Sequence, residues 1–413
     1  MRVFYFTEQP YPQAWDSNLP SLRVNLPSGR CDPKIAADLY HRYLDEWLLA
    51  DELGFDIMVN EHHATATCMS ATAVVPLSIL ARQSKRARIL TLGYPIANRL
   101  DPVRAAEELA MIDVISRGRL EIGLVRGVPY EVPVATRSAV GMSDRFWEAH
   151  DLILKALSTR TGPFNWNGEH FQQRNVNIWP PVYQQPLPPI WISGRSPSNI
   201  REVAGRGHVF ATFMSGASTP GMFDLYRKVY AESGHGTAGP DRLAYLGLIA
   251  VGETHDQAMD RAARIVQYLE TSAQVSPQFK NPPGYLTPEV TAQTFRQRVL
   301  GITSGKSGKS VDVHNASLEE LIDAHVLFAG TPDEVYSQIV EFHESVGGFG
   351  NLLMMGHAAH MTHEDAVENI TLFGQNVLPR LKEFSHEVKK RQAEAASDGS
   401  WEVDLALQET KGS

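Results

Sequence analysis

Short apolar runs spaced along the chain, each followed by a stretch of helical period, constrain this fold more than any other feature. The runs fall at 2–6, 56–60, 88–93, 120–125, 189–193, 208–213, 243–251 and 351–355. Several are apolar almost throughout, as in Leu352-Leu353-Met354-Met355 and Leu120-Glu121-Ile122-Gly123-Leu124-Val125. Runs without strict alternation suit strands buried on both faces of a parallel sheet. Between them, residues 34–53 place Ile35, Leu39, Tyr43, Trp47 and Leu48 at helical spacing and end at Gly54. Residues 102–117 follow an N-cap aspartate, Asp101, carry Pro102 at the first helical position and close at Gly118. The same device recurs at Ser196-Pro197 and in the capping box Thr331-Pro332-Asp333-Glu334. Two further helices are predicted over 255–270 and 363–384. Eight strands alternating with helices predict an α/β fold, the (β/α)8 TIM barrel. A doubly wound open sheet is the alternative, but no GxGxxG follows the first strand, where such a domain would need it.

Composition narrows the class. With 38 Lys+Arg against 47 Asp+Glu the net charge is −9. That gives no global pull toward nucleic acid or an anionic membrane, though a local basic pocket for a phosphate remains compatible with it. Cys31 and Cys68 cannot staple a chain of 413 residues and make no metal spacing. No metal site is expected. No stretch reaches 18 apolar residues, and Met1-Arg2-Val3-Phe4-Tyr5-Phe6 reads as a first core strand rather than a signal peptide. A reducing, cytoplasmic setting is the expectation.

Residues 1–384 read as a single barrel domain and 385–413 as a charged C-terminal tail. The first strand-to-helix connection, about 7–33, is long and rich in Pro, Asn and Ser. The stretch from about 271 to 325 has weak periodicity. Inserted between strands seven and eight, it would hang over the C-terminal mouth of the barrel as a lid. Within it, Gly301 to Ser310 reads GITSGKSGKS. Only three residues separate Gly301 from Gly305, so it is not a Walker loop, which needs four.

In a barrel of this kind the C-terminal strand ends face the active site. Four such ends carry chemistry. Asn60-Glu61-His62-His63 ends strand two. Adjacent residues on a strand point to opposite sides, so one histidine faces the site and the other packs behind. Three consecutive residues do not converge on one metal ion. Arg126-Gly127 directly follows strand four and suits a fixed anion contact. Ile192-Ser193-Gly194-Arg195-Ser196-Pro197-Ser198 runs from strand five into a helix whose N-terminal amides, with the Ser196 hydroxyl, suit an anion. Strands four and five are neighbours in a barrel, so Arg126 and Ser196 would converge on one phosphate. After strand three, Gly93 permits unusual backbone geometry and brings Tyr94 near the pocket. Trp15, Phe213 and Met214 are candidate apolar walls for a substrate.

These pieces together resemble the bacterial luciferase-like family of flavin monooxygenases, from the first strand to about residue 384. The resemblance rests on Gly54-Phe55-Asp56 leading to Glu61-His62-His63, on Asp101-Pro102-Val103-Arg104-Ala105-Ala106-Glu107, and on Ser116-Arg117-Gly118-Arg119. It is strongest at Gly123-Leu124-Val125-Arg126-Gly127. Gly330-Thr331-Pro332-Asp333-Glu334 and the segment from Phe373-Gly374 to Leu378-Pro379 complete it. The resemblance implies reduced FMN at the barrel mouth, supplied by a separate flavin reductase, with dioxygen adding to give a peroxyflavin. It implies that His62 is the active-site histidine and that Arg126, with Gly194, Arg195 and Ser196, holds the FMN phosphate. It puts Gly93–Tyr94 where the family often has a non-prolyl cis peptide under the flavin ring. It also implies a homodimer. Val125 stands where luciferase has a cysteine and Pro129 where it has a tyrosine, so light emission and a fatty-aldehyde substrate are not implied.

The expectation is therefore an FMN-dependent, two-component monooxygenase acting on a small organic substrate by hydroxylation or Baeyer–Villiger insertion. The protein would supply orientation and a pocket shielded from water while the flavin carries the oxygen chemistry. One rival is a deazaflavin-dependent hydride-transfer oxidoreductase on the same fold. Others are a non-catalytic flavin-binding protein and a metal- or phosphate-dependent barrel hydrolase.

Overall fold

The computed structural model describes residues 1–16, 18–19, 21–135, 137–286, 302–304 and 310–397. Eight parallel strands form a closed ring: β1 (Arg2–Thr7), β2 (Asp56–Val59), β3 (Ile89–Pro95), β4 (Leu120–Val125), β5 (Ile190–Ser193), β6 (Val209–Phe213), β7 (Leu243–Val251) and β8 (Asn351–His357). Each pairs with its chain neighbours, and β8 returns to β1 with Arg2 opposite Asn351 and Phe4 opposite Leu353. This is the (β/α)8 barrel expected from the apolar runs. Every ring strand coincides with a predicted one within two residues.

Side-chain alternation divides each strand between two cores. Phe4, Phe6, Met58, Leu90, Leu92, Trp191, Leu246, Leu353 and Met355 fill the barrel interior. Val3, Tyr5, Ile57, Val59, Ile89 and Leu352 face outward under the helices. Both faces are covered, so the strands carry apolar residues at consecutive positions. The helices start as their caps dictate. Asp101 accepts from the amides of Val103 and Arg104, and the Thr331 and Ser196 side chains cap the helices at Pro332–Ser345 and Pro197–Gly205.

Three features lie outside the sequence expectations. A hairpin of Phe164–Asn167 and Gln172–Val176 sits between β4 and β5. A ninth strand, Leu327–Gly330, pairs parallel with the C-terminal half of β7. The last helix, Leu378–Ser397, runs unbroken across the expected domain boundary at 384. Most of Gly301–Ser310, and all of 398–413, lie outside the described residues. Among the described residues, no helix is long and apolar enough to cross a membrane.

One buried charge ties the last strand to the first helix. Glu46, fully buried on the helix Pro33–Leu53, accepts from Tyr5 OH at 2.8 Å, His357 Nδ1 at 2.9 Å and His363 Nδ1 at 2.9 Å. Burial opposes ionisation of Glu46, yet the two imidazoles and Tyr5 hold its carboxyl below its ordinary value. The hydrogen bond to Glu46 raises His363 above its ordinary value. A raised histidine contributes stability that is complete below its unfolded pKa of about 6.5 and is lost as pH rises through the folded value. A lowered carboxyl contributes stability present above about pH 4 and lost as pH falls through the folded value. Thermal melts are therefore expected to peak in the weakly acidic window between those limits. His363→Gln should flatten the alkaline side most and weaken the acid side in part, because His357 and Tyr5 still hold Glu46.

Candidate active site

The C-terminal ends of the ring strands open onto a cavity of about 1020 Å³, at the upper end of the roughly 300–1,000 Å³ range of small-molecule sites. Its floor is apolar and comes from the strands: Phe6, Met58, Leu92, Val125, Ile192, Leu246 and Met355. Its walls are the loops after them.

Glu61, His62 and His63 divide three ways. His62 lines the cavity and directs Nδ1 to Glu131 Oε1 at 2.8 Å. The same oxygen accepts the His63 amide at 3.0 Å. A carboxylate only accepts, so Nδ1 carries the proton and Nε2 is the free nitrogen. Burial pushes Glu131 up, but His62 and its hydrogen bond, with the His63 amide, outweigh it and leave the carboxyl below its ordinary value. His63 turns behind, with Nε2 3.2 Å from Glu61 Oε1, and that hydrogen bond raises its pKa. Glu61 is pinned by Arg99 Nη2 at 3.0 Å and by the Ala73 amide at 2.9 Å, ahead of the helix Val74–Gln83. The two histidines do diverge, but strand alternation is not the cause, because β2 ends at Val59 and both lie in the loop beyond it. Glu131 was not anticipated; it sits in a short 3-10 turn, Pro129–Glu131, with no periodicity to mark it.

Across the mouth, β4 and β5 deliver Arg126, Gly194, Arg195, Ser196, Ser198 and Asn199 to the same cavity. Arg126 makes no ion pair among the described residues, and its guanidinium lies 4.4 Å from the centre of the Tyr285 ring. Tyr285 OH donates to the Gly127 carbonyl at 3.0 Å, so this part of the segment after β7 reaches over the mouth. Ser196 caps its helix by accepting from the Asn199 amide. Arg195 donates to the carbonyls of Phe213 and of Met214, the latter at 3.1 Å, and ties the ends of β5 and β6 together. Phe213 and Met214 line the cavity.

Three expectations differ from the structure. Tyr94 does not face the cavity: it is fully buried, its OH donates to Glu108 Oε2 at 2.5 Å and Arg99 lies over its ring at 4.0 Å. The cis peptide is Leu92–Gly93, one bond earlier than Gly93–Tyr94. The cause of the outward turn is a register shift between Thr91 and Tyr94 where β3 pairs with β4, which puts Leu92, Gly93 and Pro95 on the cavity and Tyr94 outside. Trp15, too, is no cavity wall. It packs on His360 and donates Nε1 to the Ala66 carbonyl, in a separate small cluster with Tyr11 and Ala14.

Two glycines leave bare backbone along the cavity wall. At Gly194 a Cβ would fall 2.1 Å from Asn199 Oδ1, so any side chain there would displace the Asn199 amide from the cavity wall. That Oδ1 has no hydrogen-bond partner, which leaves the amide free to turn toward a ligand. At Gly93 a Cβ would fall 2.5 Å from Val125 Cγ1, so this wall is also bare. A guanidinium without an ion pair, serine hydroxyls and a helix N-terminus around a bare backbone form a donor set suited to a phosphate. The residues fit. Among the described residues no group of histidine, cysteine and carboxylate side chains could hold a metal ion.

The fold and site define a TIM barrel whose mouth cavity carries Arg126 and the Ser196 helix end on one wall and a carboxylate-held histidine, His62, on another. The chain belongs to the luciferase-like monooxygenase family, whose model matches residues 26–347. Over 172 residues it is 32% identical to the oxygenase component of a flavin-dependent trigonelline monooxygenase from Acinetobacter baylyi, covering 41% of this chain and 47% of that protein. The chain spans about half the length of most of the first curated relatives it matches, two thirds at most. Among solved structures, monooxygenase RslO1 from Streptomyces bottropensis superposes with a TM-score of 0.69 at 20% identity, covering 92% of this chain and 100% of that one. The FMN complex of the oxygenating constituent of 3,6-diketocamphane monooxygenase from Pseudomonas putida, a type II Baeyer–Villiger enzyme, gives 0.66 at 18% identity, covering 92% and 98%. An F420-dependent secondary alcohol dehydrogenase gives 0.61 at 16%, covering 91% and 98%. These structural likenesses show the fold.

Proposed function

We propose that this protein is a two-component, FMN-dependent monooxygenase that uses reduced FMN and dioxygen to oxygenate a small organic substrate. The observation that carries the proposal is the pairing, around one cavity, of the Arg126 cradle with the Glu131-held His62. Bound reduced FMN would supply the electrons that activate dioxygen. Arg126, the bare backbone at Gly194 and the Ser196 end of the helix would hold its phosphate. Gly93 would let the ring lie close to the strand. His62, with Nδ1 fixed on Glu131, presents Nε2 to the cavity and can hold or pass a proton there. Phe213 and Met214 would contact substrate. Tyr285 on Arg126 supports a lid that excludes water from the mouth. The flavin reductase would remain a separate protein. Val75, Met111 and Ile115, exposed on the helices Val74–Gln83 and Pro102–Ile115, support a homodimer.

Anaerobic titration with photoreduced FMN tests this, followed by mixing with air while absorbance is recorded. Saturable binding and a transient absorbance unlike either oxidised or reduced flavin are expected. Arg126→Ala should weaken FMN by about 10- to 100-fold, the worth of a charge-assisted hydrogen bond of about 1.5–3 kcal/mol. Arg126→Lys, which keeps the charge but loses the fork, should fall between. Failure to bind reduced FMN would sink the proposal and favour a deazaflavin-dependent hydride-transfer enzyme; one structural neighbour is an F420-dependent secondary alcohol dehydrogenase.

A further inference from the structure

Arg23 is 1% exposed, yet it lines the cavity. It is placed there by a bridge to Thr65, by the Val24 amide on the Ala64 carbonyl, and by the Leu22 amide on the Gln274 carbonyl. Of the five N–H groups of a guanidinium, one donates to Tyr130 OH, and Nε has no partner among the described residues. Among the described residues no carboxylate lies within 4.0 Å of it.

The two nearest carboxylates are already committed. Glu131 takes His62 and the His63 amide. Glu8 accepts from Asn60 Nδ2 at 3.0 Å and from the Tyr268 hydroxyl. Burial works against the charge on Arg23, but Tyr130, Tyr268, Glu8 and Glu131 around it keep its pKa above the ordinary value. The charge on Arg23 is thus met at a distance by Glu8 and Glu131, but its spare N–H donors have no acceptor among the described residues, and buried donors left unpaired are costly unless a ligand completes them.

Position then decides which part of the ligand this is. The Arg126 cradle hangs from β4 and β5. Glu8 and Asn60 follow β1 and β2, and Arg23 pairs with the loop just beyond His62. Arg23 enters from the long connection after β1 and meets Thr65 beyond β2 and Tyr130 beyond β4, whereas the Ser196 helix end comes from β5.

We propose that Arg23, with Tyr130, forms an anion subsite for the substrate, and that the substrate carries a carboxylate. A guanidinium fork matches a carboxylate in two parallel hydrogen bonds. The anion would anchor one end of the substrate beside His62 and direct the rest along the apolar floor. The substrate assignment rests on the flavin proposal above; the anion subsite itself does not.

The test is calorimetric titration of the full-length protein with benzoate and with benzamide, both without flavin and saturated with FMN, in wild type, Arg23→Gln and Arg23→Lys. FMN affinity is measured separately by quenching of flavin fluorescence. The expected result is benzoate binding at least tenfold tighter than benzamide in wild type. That preference should vanish in Arg23→Gln and shrink in Arg23→Lys, with FMN affinity within threefold throughout. Benzoate binding no tighter than benzamide in wild type overturns the proposal, as does unchanged benzoate affinity in Arg23→Gln. Loss of FMN binding in Arg23→Gln also overturns it, by assigning Arg23 to the flavin. If the Arg23 variants do not fold, Tyr130→Phe removes only the hydroxyl; unchanged benzoate affinity there would equally count against the subsite. Failure of wild type to bind FMN, with benzoate preference intact, would strike the flavin proposal and spare this one.

Discussion

Replacing His62 by asparagine is expected to cut coupled oxygenation by about 10²–10⁴-fold, the usual worth of a positioned acid–base group, while FMN affinity stays within a few-fold. The geometry gives the reason. Nδ1 is held on Glu131 Oε1 at 2.8 Å, so the ring orientation and tautomer are set before anything enters the cavity. Asparagine keeps polarity and approximate size but has no nitrogen that can take up and return a proton near neutral pH. Hydrogen peroxide released per reduced flavin consumed is the direct measurement, and it should rise as oxygenation falls. Glu131→Gln provides the second half of the argument. Its amide can donate as well as accept, so the imidazole loses the constraint that keeps Nε2 unprotonated. A loss of about 10–100-fold is expected, as for other residues that orient a site from behind. Glu131→Asp should recover part of it if the carboxylate can still reach. A His62 variant that oxygenates substrate as wild type does would remove this histidine from the mechanism.

The ring strands were legible because a parallel barrel buries both faces of each strand, and such strands leave dense apolar runs. The helix starts were legible because Asp101, Ser196 and Thr331 cap as local chemistry requires. The hairpin at 164–176 was not, because Phe164–Asn167 and Gln172–Val176 are half-exposed and read as polar loop. Leu327–Gly330 is four residues long and abuts a capping box, so no run of its own marks it as a strand. At the site, residues on strand ends could be placed by counting, as with His62, Arg126 and Gly194. Tyr94 defeated the count, because the register shift after Thr91 reverses the alternation. Glu131, Arg23 and Tyr268 come from irregular or distant segments that converge only in three dimensions. Arg23 meets Tyr130 across 107 residues, a contact no local pattern announces.

Glu121→Ala is expected to lower stability by about 3–5 kcal/mol, the cost of removing one partner from a buried ion cluster. The effect follows from where the carboxylate sits. Glu121 is 1% exposed at the closed end of the barrel, opposite the cavity. Its Oε1 accepts from Arg2 Nη2 at 2.7 Å and from Arg88 Nε, and its Oε2 from Trp191 Nε1 at 2.7 Å. Arg2 also binds Asp56 Oδ2 at 2.9 Å. Glu121 on β4 thus ties β1, β5 and the residue preceding β3 together directly, and β2 joins through the Arg2–Asp56 pair. Removing it leaves an indole N–H without its acceptor and two guanidinium groups facing each other across the gap. Arg2 and Arg88 are about a third exposed, so water offsets part of their loss, and the buried Trp191 contact carries the rest. Denaturant midpoints measure the change, and Glu121→Gln, which keeps an acceptor for Trp191, should lose less. Because the cluster is at the far end from His62 and Arg126, FMN affinity measured well below the melting temperature should be unchanged in both variants. If FMN binding falls in step with stability instead, then the two ends of the barrel are coupled, and the site owes its geometry to the packing beneath it as well as to the loops around it.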